Sequence, residues 1–179
     1  MFDHIGQIPA AAALKFSDRT ALIFEDKEFS FNEINSLVEK AAGGLSEMGI
    51  LPGDTVTLYA ANSWEWIISY YAIARLGAVI NPVNTMLTPE ELEYVAKDCG
   101  AKAIITSSDK VAGISSITEV SDVRYIIAFG VNEDKSVVSF DTLIATDSKA
   151  PNGGVRQIGS SIRSLGSVNS MRRLESTTL

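Results

Sequence analysis

The chain has 179 residues, 46% of them hydrophobic and 21% charged, with a formal net charge of −7, the profile of one globular core rather than of a disordered chain. The charge is uneven, with 11 Lys and Arg against 21 Asp and Glu from Met1 to Pro151 and 4 against 1 from Asn152 onward. An acidic body excludes broad binding to nucleic acid or anionic membrane, and one Cys and one His exclude an internal disulfide and a His/Cys zinc site.

The amino-terminal "MFDHIGQIPAAAALKF" lacks the basic start and long apolar core of a secretory signal. "TALIFED" and "KEFSF" read as two strands joined by a turn at Asp26 and Lys27. The next segment places Ile34, Leu37, Val38, Ala41, Leu45 and Met48 at helical spacing, and Ser30 with Glu33 forms a capping box at its start. "LPGDTVTLYAAN" supplies a turn and then a buried strand.

Asn62 and Glu65 repeat the cap spacing before a helix that is apolar on nearly every side, Ser63 to Leu76, which Gly77 is placed to stop. The apolar run "WIISYYAIARLGAVI" is broken by Arg75 and Gly77 and is too short to span a bilayer. "AVINPVN" reads as a buried strand ended by Pro82, and Thr88, Pro89 and Glu91 mark a third helix to Asp98. "AKAIITSS", a weak helix in "KVAGISSITEV", the strand "VRYIIAFG" and a helical turn or two at "FDTLIATDS" complete the pattern. Strands alternating with helices predict an α/β fold with a mainly parallel sheet and helices on both faces. The expected division is residues 1–150 as the folded unit and 151–179 as a Gly-, Ser- and Arg-rich tail, disordered or weakly helical.

The segments "FSFNEI", "GILPGDTVTLYAANS", "AIARLGAVINPVN" and "LTPEELEYVAKDCGAKAII", in that order, resemble the amino-terminal subdomain of the adenylate-forming enzymes. That superfamily comprises acyl-CoA synthetases, luciferases and peptide-synthetase adenylation domains. The "NPVN" ending leans toward acyl- or aryl-CoA synthetases. The resemblance implies a parent enzyme that joins a small carboxylic acid to ATP with Mg2+, giving an acyl-adenylate that coenzyme A then captures. The single cysteine, Cys99, which can form no internal disulfide, points to a cytoplasmic setting, and the chain looks like the first part of a larger enzyme, with an open sheet edge at risk of self-association.

The parts that would do this chemistry are not recognised in the sequence. "GSSIRSLGS" at Gly159 to Ser167 imitates the composition of the family's phosphate loop, yet Ile162 and Leu165 interrupt it and no lysine closes it. No catalytic, cofactor-binding or metal-binding residue is therefore assigned. Trp64, Trp66, Tyr70 and Tyr71 suit core packing better than ligand stacking. Cys99 has no His partner and suits inert burial. Lys110 lies where some relatives place basic residues near the coenzyme A nucleotide. In the tail, Arg156, Arg163, Arg172 and Arg173 flank a modest helical pattern suited to docking on an acidic surface. The reading is a ligase fragment inactive alone, with a noncatalytic α/β interaction or regulatory module as the alternative.

Overall fold

The computed structural model describes residues 4–131 and 133–146. A 3-10 turn, Ile5–Gln7, leads into α1 (Ile8–Phe16) and an antiparallel ribbon of β1 (Thr20–Phe24) and β2 (Lys27–Ser30). There follow α2 (Phe31–Glu47), β3 (Thr55–Tyr59), α3 (Trp64–Leu76), β4 (Val79–Pro82), α4 (Pro89–Asp98) and β5 (Ala101–Ser107). A 3-10 turn, Ser108–Lys110, precedes α5 (Val111–Ile114), α6 (Ile117–Val120), β6 (Tyr125–Phe129), β7 (Val138–Ser139) and α7 (Phe140–Ile144).

The main sheet has the order β4-β3-β5-β6-β7, and every neighbouring pair is parallel. Alternation along the strands sends side chains to two cores. Val56, Leu58, Ala103, Ile105 and Ile127 meet α2, α3 and α7 in one cluster, while Tyr59, Ile104 and Ile126 meet α4, α5 and α6 in the other. Helices therefore cover both faces, as the alternating pattern predicts. Among the described residues no helix is long and apolar enough to cross a membrane.

The helix starts follow from local chemistry. The Ser30 hydroxyl accepts from the Glu33 N–H at 3.2 Å and Glu33 Oε2 accepts from the Ser30 N–H at 2.7 Å. Thr88 and Glu91 make the same box, with Pro89 in the first turn. The third start differs from expectation: Ser63, not Asn62, caps α3, its hydroxyl accepting from the Trp66 N–H at 3.1 Å. The box spacing at Asn62 and Glu65 is incidental, because one further extended residue brings a hydroxyl into the capping position. Gly77 ends α3 with φ 80°, in the left-handed region where a Cβ is strained.

Two other local readings need correction. The ribbon turns at Glu25 and Asp26 rather than Asp26 and Lys27, with Glu25 at φ 52° and Lys27 already paired with Phe24. The weak helix over "KVAGISSITEV" is two four-residue helices, each lacking a side-chain cap. The tail from Ala150 onward, with its proposed loop and arginines, lies outside the described residues.

The outer edge of β4 is sparsely equipped for pairing. The N–H groups of Val79 and Val83 donate to Asp54 and Leu58 carbonyls at 2.8 and 3.0 Å, so Ile80 and Pro82 turn their backbone groups outward. Proline has no N–H, which leaves Ile80 as the one outward donor along this strand.

Candidate functional site

In an open α/β sheet the ligand end is the crevice at the carboxyl ends of the strands, where successive connections part to opposite sides. Here the chain leaves β3 through α3 for β4 on one side, then crosses through α4 to β5 on the other and continues to β6. The switch point lies between β3 and β5. Three segments leave the sheet at that end: residues 60–63 after β3, 83–88 after β4 and 108–110 after β5.

Tyr59, the last residue of β3 and only 5% exposed, donates its hydroxyl to the Leu87 carbonyl at 2.8 Å. Fully buried Thr106 donates its hydroxyl to the Tyr59 carbonyl at 2.6 Å. Lys110 Nζ donates to the Thr85 carbonyl at 3.1 Å and stands 4.8 Å from the centre of the Tyr59 ring. Asn84 folds the loop on itself, accepting from the N–H of Met86 at its side chain and of Leu87 at its carbonyl. Met86, between the two anchored carbonyls, is 82% exposed.

The other sequence candidates are held in packing. Trp64 is buried between Phe29, whose ring stacks at 5.2 Å, and Phe140, edge-on at 6.0 Å, with Lys27 Nζ 5.1 Å away. Trp66 stacks on Tyr70 at 5.4 Å, and Tyr70 meets Tyr71 edge-on at 5.6 Å. Cys99 is partly buried, its Sγ accepting from the Asn81 amide at 3.3 Å while the same amide donates to Thr57 Oγ1 at 3.1 Å. The structure brings Lys110 to the switch point and places Trp64 and Trp66 in ring stacks and Cys99 beside the Asn81 amide. The anchors Tyr59 and Thr106 were not singled out from the sequence, although a tyrosine and a threonine inside otherwise aliphatic strands were a usable signal, since buried hydroxyls require partners.

The donor set can be tested against a nucleotide and its metal. Among the described residues no group of three His, Cys, Asp or Glu side chains stands close enough to hold a metal ion. The one lysine in the three switch-point segments is committed to a carbonyl and a ring.

Fold and crevice together define a doubly wound α/β unit with its ligand end at the β3–β5 switch point. The chain belongs to the AMP-binding enzyme family, whose model matches residues 10–160. It is 29% identical over 158 residues to a methyl-dioxo-octahydro-indenyl propanoyl:CoA ligase of Mycobacterium tuberculosis, a match covering 84% of this chain and 31% of that protein. It is 33% identical over 135 residues to 4-coumarate–CoA ligase 5 of Oryza sativa subsp. japonica, covering 74% and 24%. The solved structure of the anthranilate CoA ligase AuaEII in complex with anthranoyl-AMP superimposes with a TM-score of 0.78 at 26% identity, covering 85% of this chain and 30% of that one. The chain spans less than a third of the length of these relatives.

Proposed function

We propose that this chain forms part of an AMP-forming acid:CoA ligase. In that reaction a carboxylate oxygen attacks the α-phosphorus of ATP, pyrophosphate leaves, and the coenzyme A thiol then displaces AMP from the acyl carbonyl. The observation that carries the reading is the superposition on a CoA ligase solved in complex with anthranoyl-AMP, together with the family match over residues 10–160. ATP, Mg2+ and coenzyme A are the implied reactants, and a small carboxylic acid the substrate class. Mg2+ carried on a triphosphate keeps most of its waters and needs no all-protein cage.

The polypeptide alone forms no acyl-adenylate on this reading. Adenylation needs several donors and a cation converging on one triphosphate. Of the cations near the crevice, Lys110 is spent on the loop beneath it. The cytoplasm is the proposed setting, where a lone thiol engaged by an amide stays reduced. Self-association through the sheet edge belongs to the same proposal, restricted at β4 to the single outward N–H of Ile80.

Two assays test the reading. The purified chain is expected to show no carboxylate-dependent exchange of labelled pyrophosphate into ATP, and exchange above a control ending at Thr146 overturns its inactivity. Residues 10–146 exchanged for the matching segment of the rice 4-coumarate–CoA ligase are expected to leave that enzyme able to form thioester. A folded chimera without activity favours the noncatalytic α/β module instead.

A further inference from the structure

The β4–α4 loop at residues 83–88 is tied down from both sides of the switch point. Its Thr85 carbonyl is held by Lys110, which follows β5, and its Leu87 carbonyl by Tyr59, which ends β3. Tyr59 is itself fixed by Thr106 on β5, and its ring lies under the Lys110 ammonium. The two strands that define the crevice therefore clamp the same loop two residues apart, and the residue between the clamps, Met86, projects into solvent.

We infer that Lys110 and Tyr59 are positioning residues, which lock residues 84–87 into one conformation at the ligand end of the sheet and act on substrate through that loop rather than by touching it. This assignment rests on the ligase reading for the word substrate, but the lock itself does not. A loop bordering a crevice is among the first elements to open locally unless side chains restrain it. A charged donor on one carbonyl and a buried hydroxyl on the other supply that restraint without using backbone pairing.

The lock is tested in the full 179-residue chain by amide hydrogen exchange. Lys110→Met keeps the apolar stem and removes the donor, and it is expected to speed exchange at Met86 and Leu87 about tenfold while β3 and β5 amides keep their rates. Lys110→Arg, which retains a charged donor and a cation over the ring, is expected to stay close to wild type. Tyr59→Phe keeps the ring and removes the hydroxyl, and is expected to loosen the same two amides. Unchanged rates in Lys110→Met, or equal acceleration throughout the sheet, overturn the lock.

A kinetic split then tests positioning. In the active rice chimera, Lys110→Met is expected to raise KM for one of the acid, ATP or coenzyme A severalfold, by more than it lowers kcat, with Lys110→Arg restoring it. Unchanged KM for all of them overturns the positioning role even where the loop has loosened. An inactive parent chimera strikes the ligase reading alone and leaves the exchange rates to decide the lock.

Discussion

At the amino ends of the strands the connections are held by ion pairs, and at the carboxyl ends by buried hydroxyls and rings with the single charged donor Lys110. Arg124 Nη2 lies 3.3 Å from the Gly49 carbonyl and 3.6 Å from Asp54, and Lys102 Nζ lies 2.8 Å from Asp122, around an open depression of about 710 Å3. The carboxyl side has Thr106 on Tyr59, Tyr59 on Leu87, and a chain of rings from Phe29 through Trp64 and Phe140 to Phe129. Exposed ion pairs contribute little because water competes for both charges, whereas a buried hydrogen bond is costly to break once one partner is gone. The end held by buried hydrogen bonds is the one where ligands bind in sheets of this class, which suits a site that must hold fixed geometry.

That contrast can be broken in order of effect. Phe140 is 1% exposed and takes edge-on contacts from Trp64 and Phe129, so Phe140→Ala is expected to cost about 3–5 kcal/mol of unfolding free energy in urea titration. Thr106→Val keeps the volume but removes the hydroxyl that donates to the Tyr59 carbonyl, and about 1 kcal/mol is expected from the same measurement. Lys102→Met, the matched change at the amino end, is expected to leave the urea midpoint close to wild type; a loss as large as that of Thr106→Val would remove the contrast.

The smallest effect is a titration. The hydrogen bond and charge of Lys102 hold the Asp122 carboxyl below its usual range. A lowered folded-state value adds stability above the unfolded value, and that contribution disappears as pH falls through the folded one. The Asp122 carboxyl resonance is therefore expected to titrate below an ordinary aspartate, and Lys102→Met to return it upward. A midpoint that Lys102→Met does not move would show the pair is unformed in solution.

The parts legible in the sequence were those written locally. Box spacing at Ser30 and Thr88 fixed two helix starts within a residue, and β-branched runs located β3, β5 and β6. The Asn62 cap failed because a hydroxyl one position later satisfied the same N–H groups, a choice set by where β3 releases the chain. Strand order was hidden for a different reason: "AVINPVN" looks like an interior strand, yet β4 is an edge, and only the outward face of Pro82 marks it. The switch-point loop was least legible of all, since Tyr59 meets Leu87 across 28 positions and Lys110 meets Thr85 across 25.

The strand order also bears on synthesis. β3 is the first strand of the main sheet to be made, yet both of its neighbours, β4 and β5, come later, beginning at Val79 and Ala101. A nascent chain growing from its amino end therefore carries Val56 and Leu58 off the ribosome with no sheet to join until residue 82, and one open flank until residue 107. During that interval α2 and α3 are able to shelter the strand. Their mutual packing through Val38, Leu45, Ile68 and Ile73 makes this helix pair the natural first structure, a shield assembled before the sheet it will cover.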